Sequence, residues 1–126
     1  MSEGTIAAGD FTLGTPVAVG SKSGFGSFQG FFDISTMIAS IDASDSVLFV
    51  ARKQMQSGGG VKTFASARIT GANLQNAITQ GNPVDPLIFL PPVVAAAGYP
   101  LQLEVTWEAG TPKDIGWEHI SLVDGS

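Results

Sequence analysis

The chain has no cysteine, which excludes disulfides, thiol nucleophiles and cysteine-ligated metals. It has a single histidine, His119, so two-histidine metal motifs and histidine relays within one chain are excluded as well. Charge is scarce: Asp, Glu, Lys and Arg make up 13% of the residues, against roughly a quarter in an ordinary soluble domain. Only six residues are basic and the formal net charge is -5. Nucleic-acid binding needs Lys and Arg clustered against phosphate, and this balance argues against it. The most apolar stretch, from Pro86 to Leu101, is interrupted by Pro91, Pro92 and Pro100, so no membrane-spanning helix is expected. Met1-Ser2-Glu3-Gly4 lacks a basic segment followed by an apolar one, and no signal peptide is expected.

What the chain does have is a strand pattern. At 126 residues it is long enough for one domain with a continuous core. Ser46 to Gln54 runs into Ser57-Gly58-Gly59-Gly60, and Val61 to Ile69 runs back, a long β-hairpin turned by glycines that accept positive φ. In the second arm Lys62, Ser66 and Arg68 alternate with Thr63, Ala65, Ala67 and Ile69, with Phe64 the exception on the polar side. The first arm is apolar on both faces from Val47 to Val50, the pattern of a strand covered on both sides at its base.

Phe25 to Ile34 reads as a strand with Phe28, Phe32 and Ile34 on one face beside Gly26 and Gly30; Phe25 and Phe31 lie on the other with Gln29 and Asp33. Leu101, Leu103, Val105 and Trp107 alternate strictly with Gln102, Glu104, Thr106 and Glu108. Leu87 to Leu90 is a short strand ended by prolines, and Ile115 to Val123 closes the domain with Ile115 and Trp117 inward. Short helical turns are expected within 35–41 and 72–79. Seven or eight strands without a βαβ alternation predict an all-β fold: a single antiparallel β-sandwich, jelly-roll or immunoglobulin-like.

Residues 1–24 are dense in glycine and contain Pro16, so they read as an extended N-terminal arm ahead of a sandwich domain at 25–126. Ile6, Phe11, Leu13, Val17 and Val19 are the candidate partner-binding residues. Each large apolar side chain left in water forgoes roughly 1.5–3 kcal/mol, and a neighbouring subunit would cover them.

Residues suited to chemistry are few. No G-x-S-x-G elbow accompanies His119, whose expected role is structural. Gly24 to Gly30 misses the dinucleotide spacing and opens no helix, and Gly58 to Thr63 misses the P-loop. No catalytic residue and no cofactor are assigned. Asp33, Asp42 and Asp45, with Ser44 and Ser46, have the chemistry of a structural cation site, but backbone hydrogen bonds and Asx-turns are the favoured reading. A sugar site would draw on Trp107, Trp117, Tyr99, Gln102 and Glu104. The alternation places Trp107 on the apolar face, which favours core packing. Of the six basic residues, Arg52, Lys53, Lys62 and Arg68 sit on the hairpin arms, where they read as edge-strand charges that discourage aggregation.

Phe32-Asp33-Ile34-Ser35, then Met37, then Asp45-Ser46-Val47 is similar to an Asp-Leu-Ser … Gly-Asp-Thr-Val pattern of small accessory structural proteins of tailed bacteriophages. Leu90-Pro91-Pro92-Val93, Leu101 to Thr106, Ala109-Gly110-Thr111 and Trp117 continue the likeness, which spans about residues 28 to 121. Ser44 stands where that pattern has glycine. The resemblance implies a virion component without catalytic residues, one that decorates the capsid or serves the tail or fibre apparatus. Its partners would be other virion proteins and further copies of itself, with no nucleic acid or membrane. The alternative is a carbohydrate-binding β-sandwich module.

Overall fold

The computed structural model describes residues 2–22, 26–54, 61–95 and 101–123. They form nine strands: β1 (Ser2–Ile6), β2 (Val17–Lys22), β3 (Gly26–Asp33), β4 (Ser46–Gln54), β5 (Val61–Thr70), β6 (Leu87–Phe89), β7 (Val93–Ala95), β8 (Leu101–Ala109) and β9 (Ile115–Val123). Two short helices, α1 (Ser35–Ala39) and α2 (Gly71–Thr79), fall where helical turns are expected, and a single 3-10 turn covers Ala8–Asp10. The all-β expectation holds. The tip of the β4–β5 hairpin, the boundary near residue 24 and Tyr99 lie outside the described residues.

The strands form two antiparallel sheets, one ordered β1-β9-β3-β6 with β7 also on β3, the other β2-β8-β4-β5. The pairing is nested. β4 pairs with β5, β3 with β6 and β7, β2 with β8 and β1 with β9, so the chain is one long double ribbon whose ends meet. Two further pairings, β3 with β9 and β4 with β8, roll this ribbon into the two sheets.

Strict alternation makes β8 the clearest strand: Leu101, Leu103, Val105 and Trp107 are all buried, and the residues between them are half-exposed. Phe28 and Phe32 of β3 face them from the other sheet, and the Phe32 and Phe49 rings meet at 4.7 Å between centroids. Gly30 belongs to this contact, because a Cβ there would lie 2.5 Å from Leu103 Cδ2. The large-small alternation of β3 thus lets the sheets approach.

Three features depart from the sequence pattern in instructive ways. β4 is central in its sheet, but its outer face is only half-buried at Leu48 and Val50; Val47, Phe49 and Ala51 face the core. The register of β4 and β5 skips Phe64, since Ala51 pairs with Ala65 and Arg52 with Thr63, so the aromatic exception marks an irregularity in the ladder. β6 and β7 lie end to end along β3, separated by Pro91-Pro92, which donate no ladder bonds. Leu90 bridges that gap: its N–H donates to Gly30 O at 3.2 Å and its carbonyl accepts from Gln29 Nε2 at 2.8 Å.

Residues 2–22 are a correction. They are not an arm set apart from the domain but edge strands of both sheets, β1 on β9 and β2 on β8. Ile6, Phe11 and Val19 are buried in the shared core, with Phe11 against Trp107 at 5.5 Å between ring centroids. Val17 packs half-buried on the same core, and Leu13 alone of the five is well exposed, at 52%. The physical reason is that β8 and β9 each have an edge whose backbone groups need a ladder partner, and those partners come from the opposite end of the chain. The glycines suit this placement: a Cβ on Gly4 would lie 3.0 Å from the Trp117 indole.

Candidate functional site

The polar groups best suited to chemistry are held within the fold. Asp45 is 1% exposed at the corner between α1 and β4. Its carboxylate accepts from Lys113 Nζ at 2.6 Å and from the Thr111 N–H at 3.2 Å. Lys113 in turn lies 5.8 Å from the centre of the Trp107 ring. Gly110, at φ +89°, supplies the turn; a Cβ there would lie 2.2 Å from Asp45 Oδ1. Gly71 closes the same corner, donating to Asp45 O at 2.8 Å, and a Cβ on it would collide with Asp42 O.

Asp33 and Asp42 each serve their own loop. Asp33 accepts from the Ser35 N–H at 2.8 Å, and Asp42 accepts from the Ser44 N–H at 2.9 Å and the Ser44 hydroxyl at 2.7 Å. Those Ser44 bonds hold the Asp42 carboxyl below its ordinary pKa. The Asx-turn reading therefore fits Asp42, whereas Asp45 bonds across the corner rather than within its own turn. Among the described residues no three His, Cys, Asp or Glu side chains gather to hold a metal ion. His119 is wholly buried, with its ring edge-on to Trp117 at 5.5 Å. Trp107 is also wholly buried, and Glu104 is tied to Arg52 at 2.8 Å, so neither offers a free platform for sugar.

The outer face of the β1-β9-β3-β6 sheet is different. Register places Glu3, Glu118, Phe31 and Phe89 in one row across its four strands. The next row is Thr5, Gly116, Asp33 and Leu87. Gly116 leaves a hollow in that row, and a cleft of about 410 Å³ opens there between Glu3, Thr5, Phe31, Asp33 and Glu118. Phe31 and Phe89 stack tilted at 5.1 Å, and Phe89 is 49% exposed. A smaller, mostly apolar hollow of about 310 Å³ lies between α2 and β5, lined by Ile69, Leu74, Ala77, Val84 and Ile88 among others.

The chemistry available on this face is that of binding: an aromatic surface for apolar or planar groups and carboxylates for cations or hydrogen-bond donors. The sequence placed Phe31 outward beside Asp33 but gave no sign that Phe89 and Glu118 join it, because the β3–β6 and β3–β9 pairings are not local. No protein family, curated protein or solved structure matches the chain.

Proposed function

We propose that the chain is a non-catalytic structural protein of a bacteriophage virion, acting through contacts between subunits as a capsid decoration or a tail or fibre accessory. Its two sheets are then the halves of a jelly-roll sandwich. The nested pairing supports this, since a double ribbon rolled on itself gives two sheets whose neighbouring strands come from distant parts of the chain. An immunoglobulin-like sandwich would not be nested end to end in this way. Jelly rolls serve both viral capsids and lectins, so the fold alone does not choose the function.

The observation that carries the reading is the outward row Glu3, Glu118, Phe31 and Phe89, carboxylates beside a partly exposed pair of rings. It complements the resemblance over about residues 28 to 121 to phage accessory proteins. The direct test is to band purified particles of the encoding phage on a density gradient and quantify this chain by mass spectrometry. Co-banding in fixed ratio to the capsid or tail proteins is expected. A chain found only in the unbanded soluble fraction overturns the reading.

The alternative, a carbohydrate-binding module, draws on the same cleft, with Phe31 and Phe89 replacing the buried Trp107 as the aromatic surface. Glycan binding that is lost in Phe89→Ala, by a chain absent from particles, would favour it.

A further inference from the structure

Charge is divided unevenly between the two sheets. Glu3, Asp33 and Glu118 stand on the outer face of the β1-β9-β3-β6 sheet, and none of its strands, β7 included, carries a Lys or Arg. Of the six basic residues, five belong to strands of the other sheet and Lys113 to the turn before β9. The ion pairs among the described residues join Arg52 to Glu104, Arg68 to Glu108 and Lys113 to Asp45, so none reaches the acidic face. Glu3 is registered directly opposite the half-buried Glu118, and like charges so placed are unfavourable until a cation joins them. These carboxylates flank a shaped groove. Gly116 opens the cleft of about 410 Å³, and a second hollow of about 240 Å³ shares Thr5, Asp33 and Gly116 with it and runs on to Asp114. A Cβ on Gly116 would lie 3.1 Å from Asp33 Cβ, so any side chain there would narrow the groove. The Phe31–Phe89 stack ends the same row, with Phe89 49% exposed.

We propose that this groove receives arginine side chains from a basic segment of another virion protein, an inference that rests on the assembly reading above. Charge complementarity names the occupant, because the face supplies carboxylates and aromatic rings and no cation of its own. A guanidinium is planar, so it bonds a carboxylate through two parallel N–H donors and also stacks on a ring, which an ammonium does not do. Glu118 and Phe31 are cross-strand neighbours, so both contacts fall to one guanidinium. Seating it between Glu3 and Glu118 relieves their repulsion, and the contact therefore gains more than a lone surface ion pair would. The chain's own Arg52 and Arg68 are held by Glu104 and Glu108, which leaves the guanidinium to come from a different protein.

Titration of the purified full chain with the peptide acetyl-Gly-Arg-Gly-Arg-Gly-amide, followed by nuclear magnetic resonance, tests it without any virion component. Saturable shifts are expected at the amides of Glu3, Thr5, Phe31 and Glu118, with affinity falling about tenfold between low and high salt as exposed charges are screened. The same peptide with citrulline, a neutral isostere, in place of arginine should not bind. Glu118→Gln should weaken binding about tenfold, the loss of one charged hydrogen-bond partner. It should not lower the thermal midpoint, because it removes one of two facing like charges. No saturable shift, or shifts spread over the other exposed carboxylates Asp10 and Asp85, would overturn the inference. Equal binding of the citrulline peptide would overturn it in favour of a neutral ligand on the rings. Self-association of the chain through the same residues would overturn it in favour of a second copy. A chain that ignores the arginine peptide yet bands with particles would overturn this inference and leave the virion reading standing. Binding of the peptide by a chain absent from particles would support the groove's preference and overturn the virion reading.

Discussion

The two sheets share one core but treat their outer faces in opposite ways. On β2-β8-β4-β5, outward charges are paired across strands: Arg52 with Glu104 at 2.8 Å, and Arg68, reaching over β4, with Glu108 at 2.7 Å. Ser46 adds a hydroxyl bond to Glu108 at 3.0 Å. On β1-β9-β3-β6 the outward charges are all carboxylates, flanked by a half-exposed aromatic stack. A face neutralised by its own ion pairs has little left to offer a partner, whereas a face of one sign beside exposed rings is suited to recognition. The same strand alternation builds both, so the difference lies in which charges the tertiary pairing brings together.

The largest expected effect comes from removing the N-terminal edge strand of each sheet. Deleting residues 1–22 takes away β1 and β2, bares the edges of β9 and β8, and removes Ile6, Phe11 and Val19 from the core. Cooperative thermal unfolding should be lost. Retention of a sharp transition near the wild-type midpoint would show that both sheets stand without their edges.

A smaller effect separates the core from the outer face. Trp107→Ala should destabilise by about 3–5 kcal/mol in denaturant titration, as large aromatic truncations do, because the ring is wholly buried. Phe89→Ala, at a ring 49% exposed, should cost well under half as much. Equal costs would contradict the assignment of Phe89 to a surface available for binding.

Lys113→Met tests the corner where the sheets are tied. It leaves the Asp45 carboxylate, wholly buried in its side chain, without its cation. Breaking a buried pair on one side costs about 3–5 kcal/mol, and the lower end is expected here because the Lys113 side chain keeps 16% exposure. Asp45→Asn with Lys113→Met should recover part of the loss. No recovery would mean that Lys113 acts mainly by packing on Trp107.

The smallest effect concerns the paired face. The Arg68 hydrogen bond holds the Glu108 carboxyl below its ordinary pKa, with Ser46 acting in the same direction. A carboxylate lowered by folding contributes stability above its unfolded pKa and loses it as pH falls through the folded one. Wild type should therefore lose more stability on acidification through the carboxylate range than Arg68→Gln does. The difference should be small, because the pair is largely in water. Identical acid profiles would show the pair to be energetically silent.

The local elements were legible in the sequence. Alternation in 101–108 gave β8 and its buried face, the strand patterns at 46–54 and 61–69 gave β4 and β5, and the polar stretch after them gave α2, whose Thr70 cap accepts from the Asn73 N–H at 3.2 Å. Phe28, Phe32 and Ile34 were rightly placed inward. The role of residues 2–22 was not legible. Their glycines and spaced apolar residues suit an arm or an edge strand equally well, and only a partner near the far end of the chain decides between them.

By itself, then, the sequence determined the strand periods, the inward and outward sets on each strand, and the lack of cysteine and of histidine pairs for chemistry. Those properties depend on side-chain type at fixed local spacing, which a period of two makes readable. The tertiary structure alone decided that β1 closes on β9, that Glu3 stands opposite Glu118, that Phe89 joins Phe31, and that Asp45 meets Lys113 rather than Asp33 or Asp42. Each of these depends on register between segments distant in sequence, and register is set by how two whole sheets bury their inner faces against each other.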